Sequence, residues 1–259
     1  MITKHEFAGY LAASEQTYTF LSQMLFRELN EEAIAALKGQ EWPQETGNET
    51  LDRGYVQVRR FFNFASTDIR TQLAVEYARV FLAAGVFGSD KMTAVPYESV
   101  FTSEGHLMMQ ASRDDVVRRF AADGFQVNPD LHEPEDHLAF ELEYVAHMSR
   151  KAAELVEAGN AEALAANVAR QVEFIDAHLL NWVGNLYETA REYAKTTFYT
   201  GMLLVVLGAA EQSRDLLAEV SEQLKTGLGL PDEAARGSIV AGDEAAGEAH
   251  DVPHEKAVA

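Results

Sequence analysis

Apolar residues at Phe7, Tyr10, Leu11, Tyr18, Leu21, Leu25 and Leu29 follow the three-and-four spacing that gathers a stripe on one helix face. A long amphipathic first helix is predicted. Asn30 precedes EEAIAALKG, where a capping side chain, two acids in the first turn and a terminal glycine mark out a short second helix. WPQETGNET reads as a loop. Leu51, Tyr55, Val58, Phe61 and Phe62 predict a third helix, and Ile69, Leu73, Tyr77, Val80 and Phe81 a fourth that stops near Gly85.

Across GVFGSDKMTAVPYESVFTSEGH the periodicity fails, and glycines, a proline and small polar residues predict a loop that still carries large apolar side chains. Ser112, Asp114 and Asp115 open the next helix and Asp123-Gly124 closes it. A second proline-bearing loop leads into HEPEDHLAFELEYVAHM, His132 to Met148. There Pro134 suits the first helical position, with Glu135 and Asp136 in the first turn, where the helix dipole favours negative charge. After Gly159-Asn160, the helical spacing continues through Leu164, Val168, Val172, Ile175, Leu179 and Trp182, then over 187–208 and 211–225. Past Gly227 large apolar residues become scarce, so the segment buries too little surface to offset its ordering entropy. The expected fold is all-α: a single helical-bundle domain of about eight to ten helices over residues 1–226, followed by a disordered acidic C-terminal tail over 227–259.

Composition narrows the function. A hydrophobic content of 47% suffices for a packed core, and zero cysteines exclude disulfides, thiolate metal sites and a cysteine nucleophile. With 21 basic against 41 acidic side chains the formal charge is −20, which repels phosphate backbones and steers cationic partners inward, so nucleic acid is not an expected ligand. The most apolar run, FYTGMLLVVLGAA, is shorter than the ~20 residues that span a bilayer, so no membrane span is expected. No basic segment followed by an uninterrupted apolar stretch opens the chain, and a cytoplasmic location is expected.

Helical bundles can hold metals through paired Glu-x-x-His segments, but none of the eight histidines has a glutamate three residues before it. The zinc-protease pattern fails as well, because no His-Glu pair has a second histidine four residues after the first. Glu141 one turn after His137, and His147 one turn after Glu143, keep a helical-bundle metalloenzyme with His/Glu ligands as the alternative. No glycine-rich phosphate loop and no Gly-x-Ser-x-Gly elbow occurs; no cofactor, no metal and no reaction of its own are expected.

Helix-start chemistry accounts for Pro134, Glu135 and Asp136, but not for His132, Glu133 and His137 crowding the same end, nor for Glu141 and Tyr144 continuing the face of His137. A cationic peptide would find acidic acceptors there beside aromatic surface. PYESVFTSEGHLMMQ, Pro96 to Gln110, followed by EPEDHLAFELEYVAHM, resembles the paired signatures of the TorD/DmsD/NarJ-type chaperones that mature molybdenum oxidoreductases, a likeness extending over roughly residues 5–225. The resemblance implies an all-helical cytoplasmic protein that binds the twin-arginine signal peptide of a molybdopterin oxidoreductase catalytic subunit and delays export until its cofactor is inserted. Carried over by position, the peptide contacts fall on Asp136 and His137, with Tyr97, Ser99 and Phe101 lining the same groove. Some relatives carry tryptophan where this chain has Tyr97 and Phe101. On physical grounds Glu98, Glu133 and Glu141 join the set, their carboxylates pairing with the two guanidinium groups while Tyr97 and Phe101 cover the apolar part of the signal. A homodimer formed by exchanging helices across the long central loop completes the expectations.

Overall fold

The computed structural model describes residues 1–65, 67–84, 92–227 and 229–232. Among them the regular elements are helical: α1 Lys4–Phe26, α2 Glu31–Gly39, α3 Glu49–Phe64, α4 Ile69–Phe81, α5 Glu98–Thr102, α6 Ala111–Asp123, α7 Leu138–Glu157, α8 Ala161–Ile175, α9 Val183–Tyr193 and α10 Phe198–Lys225. Local chemistry sets many of the boundaries. Thr3 and Glu6 form a reciprocal capping box at α1, Asn30, Asn48 and Asn160 cap α2, α3 and α8, and Gly124 ends α6 in the left-handed conformation at φ 72°. No described helix is long and apolar enough to cross a membrane.

The core forms around α10, whose Met202, Leu203, Val206, Ala210 and Leu217 are fully buried. Its packing on α3 depends on absent side chains: a Cβ at Gly208 would lie 2.5 Å from the Leu51 nitrogen, and one at Gly54 would lie 2.8 Å from the Val205 nitrogen. On the other side α1 lies along α7, joined in the interior by the Ser14 and Ser149 hydroxyls at 3.0 Å.

Several boundaries differ from the periodicity. Helix α7 begins at Leu138 with His137 as its cap, so Pro134, Glu135 and Asp136 form a turn rather than the first helical turn. The backbone of His137 is extended because it pairs with Tyr97. The stripe from Leu164 to Trp182 is interrupted by a π-helical turn over Asp176–Leu180, and the helix expected over 187–208 breaks at 194–197. At that break Glu76 of α4 accepts the Lys195 and Thr196 N–H groups at 2.7 and 2.6 Å, a tertiary contact that periodicity does not carry. Beyond it α10 runs unbroken through the expected gap near 209–210, and α5 lies inside the predicted central loop. Gly229 and Pro231 accept hydrogen bonds from Gln223 and Lys4, so the residues up to 232 return to the helical body. The rest of the expected tail, and residues 85–91 of the central loop expected to serve helix exchange, lie outside the described residues.

Candidate functional site

The two motif segments meet through their backbones. Tyr97 and His137 form an antiparallel bridge, flanked by hydrogen bonds from Glu98 N–H to the Asp136 carbonyl at 3.0 Å and from Leu138 N–H to the Pro96 carbonyl at 2.9 Å. The start of α5 has no cap from its own segment, and Asp136 supplies one from across the bridge: its Oδ2 accepts the Ser99 N–H at 2.9 Å and the Ser99 hydroxyl. Burial pushes the Asp136 carboxyl up, against those two bonds, and its Oδ1 has no hydrogen-bond partner among the described residues. Ser99 also accepts the Gln110 N–H at 3.1 Å, which ties the start of α6 to the same point.

His137 caps α7 with Nδ1, which accepts the Ala139 N–H at 3.1 Å. Its ring is enclosed by Tyr97, Phe26 and Phe140 at centroid distances of 5.1, 5.6 and 5.6 Å. Burial lowers its pKa to about 4, so near neutral pH the ring is uncharged, with Nδ1 free to accept and the proton on Nε2.

Beside this bridge lies a surface groove of about 340 Å³, lined by Phe26, Arg27, Glu28, Tyr77, Phe81, Leu82, Pro96, Tyr97, Glu133 and His137. Its surface is aromatic, and the Glu28 and Glu133 side chains are exposed. Tyr97 donates its hydroxyl to Glu133 Oε2 at 2.5 Å, and burial together with that carboxylate raises the phenol pKa. Tyr77 donates to the Phe26 carbonyl at 2.8 Å, which fastens α4 to the end of α1.

The expected site residues thus divide between two environments. Tyr97, Glu133 and His137 line the groove. Glu98, Ser99, Asp136 and Glu141 are buried behind it, at 2%, 0%, 0% and 0% exposure, so in this conformation no solvent-borne guanidinium reaches their carboxylates or hydroxyl. Phe101 packs on Trp182, with ring centroids 5.5 Å apart, and is not part of the groove lining. Glu98 Oε2 lies 2.8 Å from His178 Nδ1, while His178 Nε2 lies 2.9 Å from Asp115 Oδ2. Glu141 accepts the Trp182 indole N–H at 3.2 Å, and burial, reinforced by the Glu98 charge, raises its pKa well above the carboxylate range.

Sequence reasoning missed Phe26, Glu28 and Tyr77 in the groove and His178 and Asp115 behind it. For His178 a trace existed: an imidazole inside the apolar stripe, one turn before Trp182. For the groove residues none did, because α1 and α4 reach the bridge only through tertiary packing.

Residues 44–188 match the sequence model of the family described as nitrate reductase delta subunit. The chain is 27% identical over 214 residues to the chaperone protein TorD of Vibrio cholerae, covering 80% of this chain and 93% of that relative. It is 26% identical over 209 residues to TorD of Vibrio atlanticus, covering 78% and 94%, and 25% identical over 201 residues to TorD of Photobacterium profundum, covering 75% and 89%. The family match spans both bridged segments and more than half of the 259 residues, and the chain belongs to the nitrate reductase delta subunit family, the TorD/NarJ-type group that its two motifs resemble.

Proposed function

We propose that this protein is a cytoplasmic chaperone for a molybdopterin oxidoreductase, and that the groove beside the Tyr97–His137 bridge receives the twin-arginine signal peptide of that client's catalytic subunit before export. The observation that carries the reading is the pairing of two exposed carboxylates, Glu28 and Glu133, with an aromatic surface made by the part-exposed Phe26 and Tyr97 over the buried Tyr77 and Phe81. A guanidinium can pair with a carboxylate in two parallel hydrogen bonds while its flat face stacks on an aromatic ring. The same groove already holds such a stack, with the Arg27 guanidinium carbon 4.5 Å from the Phe26 ring centroid. A charge of −20 on the whole chain steers a cationic segment towards it. The relatives named chaperone protein TorD give the chaperone role its support.

Within this reading Asp136 and His137 build the groove rather than touch the arginines, since Asp136 holds α5 and His137 forms part of the wall. Ser99, Glu98 and Glu141 act behind them, and Phe101 shields the interior beside Trp182. Release of the peptide once the client's cofactor is in place completes the cycle, and the chaperone itself makes and breaks no covalent bond.

Calorimetric titration with a synthetic twin-arginine signal peptide tests the assignment. Glu28→Gln and Glu133→Gln are each expected to weaken binding up to about fivefold, since exposed charge pairs contribute about 0.2–1 kcal/mol, and raising the salt is expected to narrow the gap. Affinity unchanged in the folded double variant would remove the groove from the reading.

A further inference from the structure

Behind the groove, separate elements bring acids and an imidazole to one buried place. Glu98 opens α5, Glu141 lies in the first turn of α7, His178 sits in the π-helical turn after α8, and Asp115 projects from α6. Ligand-bearing atoms of Glu98, Glu141 and His178 all lie within 4.8 Å of one another, and the three residues are 2%, 0% and 3% exposed. The Trp182 indole N–H donates to the His178 carbonyl at 2.7 Å and shares that proton with Glu141 Oε2 at 3.2 Å, while Glu141 Oε1 is buried without a hydrogen-bond partner among the described residues. Neither Glu98 nor Glu141 receives a Lys or Arg within ion-pair distance among the described residues, and Asp136 adds a further buried carboxyl beside them. Two carboxyl groups facing each other in a dry interior call for a compensating positive charge or a bound proton.

We propose that Glu98, Glu141 and His178 form a binding site for one divalent first-row transition ion, with Zn²⁺ the best match to the donor set. One imidazole and two carboxylates are within the ordinary ligand range of this ion, and three protein ligands leave a fourth position for water. The surrounding bonds are those a ligating histidine needs. Asp115 Oδ2, 2.9 Å from His178 Nε2, accepts its proton and leaves Nδ1 as the metal-binding atom, the outer-carboxylate arrangement that orients imidazole ligands. Trp182, bonded first to the His178 carbonyl, also leans on Oε2 of Glu141 and leaves Oε1 as the free ligand atom. The ion displaces the proton between His178 Nδ1 and Glu98 Oε2, now 2.8 Å apart, and Glu141 gives up its own proton on ligation, so two protons leave to solvent. Metal–oxygen and metal–nitrogen distances of about 2.0–2.2 Å require the Nδ1–Oε2 pair to open by about half an ångström and the Glu141 carboxylate to close on the ion, within reach of side-chain rotation.

Such an ion ties α5, α7 and the turn before α9 into one unit and so stiffens the floor on which the Tyr97–His137 bridge rests. The ligands come from positions 98, 141 and 178, a spacing that no short metal motif contains. The inference stands apart from the peptide reading, because none of its ligands lines the groove.

The 259-residue chain stripped with a chelator and titrated with Zn²⁺ alone in a calorimeter is expected to take up one ion per chain, and Glu141→Gln to weaken uptake tenfold or more. A second readout separates this site from the histidines outside the described body. Trp42 and Trp182 are the two tryptophans of the chain, so Trp42→Phe leaves Trp182, bonded to Glu141, as the sole indole. Co²⁺ is expected to quench its fluorescence with a one-to-one endpoint that excess Zn²⁺ reverses. No uptake by the parent chain, uptake unchanged in a folded Glu141→Gln variant, or a Trp182 signal indifferent to Co²⁺ would each overturn the proposal. Should Glu141→Gln fail to fold by circular dichroism, the Trp182 quenching decides.

Discussion

Asp136 caps a helix that belongs to another segment: its Oδ2 accepts the N–H of Ser99 at 2.9 Å, 37 residues back in the chain. That contact makes the acid of one motif a structural part of the other. Asp136→Ala leaves a buried N–H unpaired and removes a cap, and is expected to cost about 2–3 kcal/mol in chemical denaturation. Asp136→Asn keeps an acceptor oxygen and is expected to recover more than half of that loss. Peptide affinity should follow stability across the two variants, with Ala the weaker binder. A fully stable Asp136→Ala variant that fails to bind would instead put this carboxylate in contact with the peptide.

His137 makes the protein sensitive to acid in a definite direction. Its pKa falls from 6.5 to about 4 on folding because the ring is buried. Between those values the unfolded chain carries a proton that the folded chain does not, so stability contributed by this residue is complete above pH 6.5 and is lost as the pH falls towards 4. The full swing is about 3 kcal/mol at about 1.4 kcal/mol per pKa unit. Asn at 137 can still accept the Ala139 N–H but cannot titrate. Urea denaturation of the parent and of His137→Asn at pH 7 and pH 4.5 should therefore show the parent losing about 2 kcal/mol more than the variant. Equal losses in both would place the acid sensitivity elsewhere.

Much of the helical framework was legible because it is written locally. The stripe of Phe7, Leu11, Tyr18, Leu21 and Leu25 is the buried face of α1, and Asn30 and Gly124 act at the helix ends where their side chain and backbone freedom predict. The meeting of the Tyr97 and His137 segments followed from the resemblance and is present as a backbone bridge. Burial of the acids was not legible. An acid beside a helix start normally faces water, and only the approach of α5 and Trp182 turns Asp136 and Glu141 inward. Glu28 could not be found either, since it follows α1 by two residues and reaches the groove only because Tyr77 fastens α4 there.

The glycines of α10 make a sharper test of packing than any large core residue. Helix propensity alone favours alanine over glycine by about 1 kcal/mol. At Gly208 the added Cβ would meet Leu51 backbone at 2.5 Å, against a helix that cannot yield without moving α3. Gly208→Ala is therefore expected to lose about 2 kcal/mol net despite the gain in propensity. Gly184, whose added Cβ meets nothing within 4 Å, is the control: Gly184→Ala should be neutral or stabilising. Thermal denaturation of the two variants compares them directly, and a stabilised Gly208→Ala would mean that α3 and α10 sit farther apart than described.

Glu76 decides where α9 ends and α10 begins. The side chain is 1% exposed; Oε1 accepts the N–H groups of Lys195 and Thr196, and Oε2 meets Arg79 at 2.5 Å. Alanine at 76 leaves both backbone donors without a partner and Arg79 without its acid. A loss of about 1–2 kcal/mol is expected, from two part-buried N–H groups that water can partly satisfy and the loss of the Arg79 pair. Glutamine can offer its carbonyl to the two donors but turns an amide towards Arg79, so Glu76→Gln should lose about 1 kcal/mol. Hydrogen exchange gives the local readout: amides 195–197 should exchange much faster in Glu76→Ala and nearly as in the parent in Glu76→Gln. Protection unchanged in the alanine variant would show that the break between the two helices is held by the packing of Tyr193 and Phe198 instead.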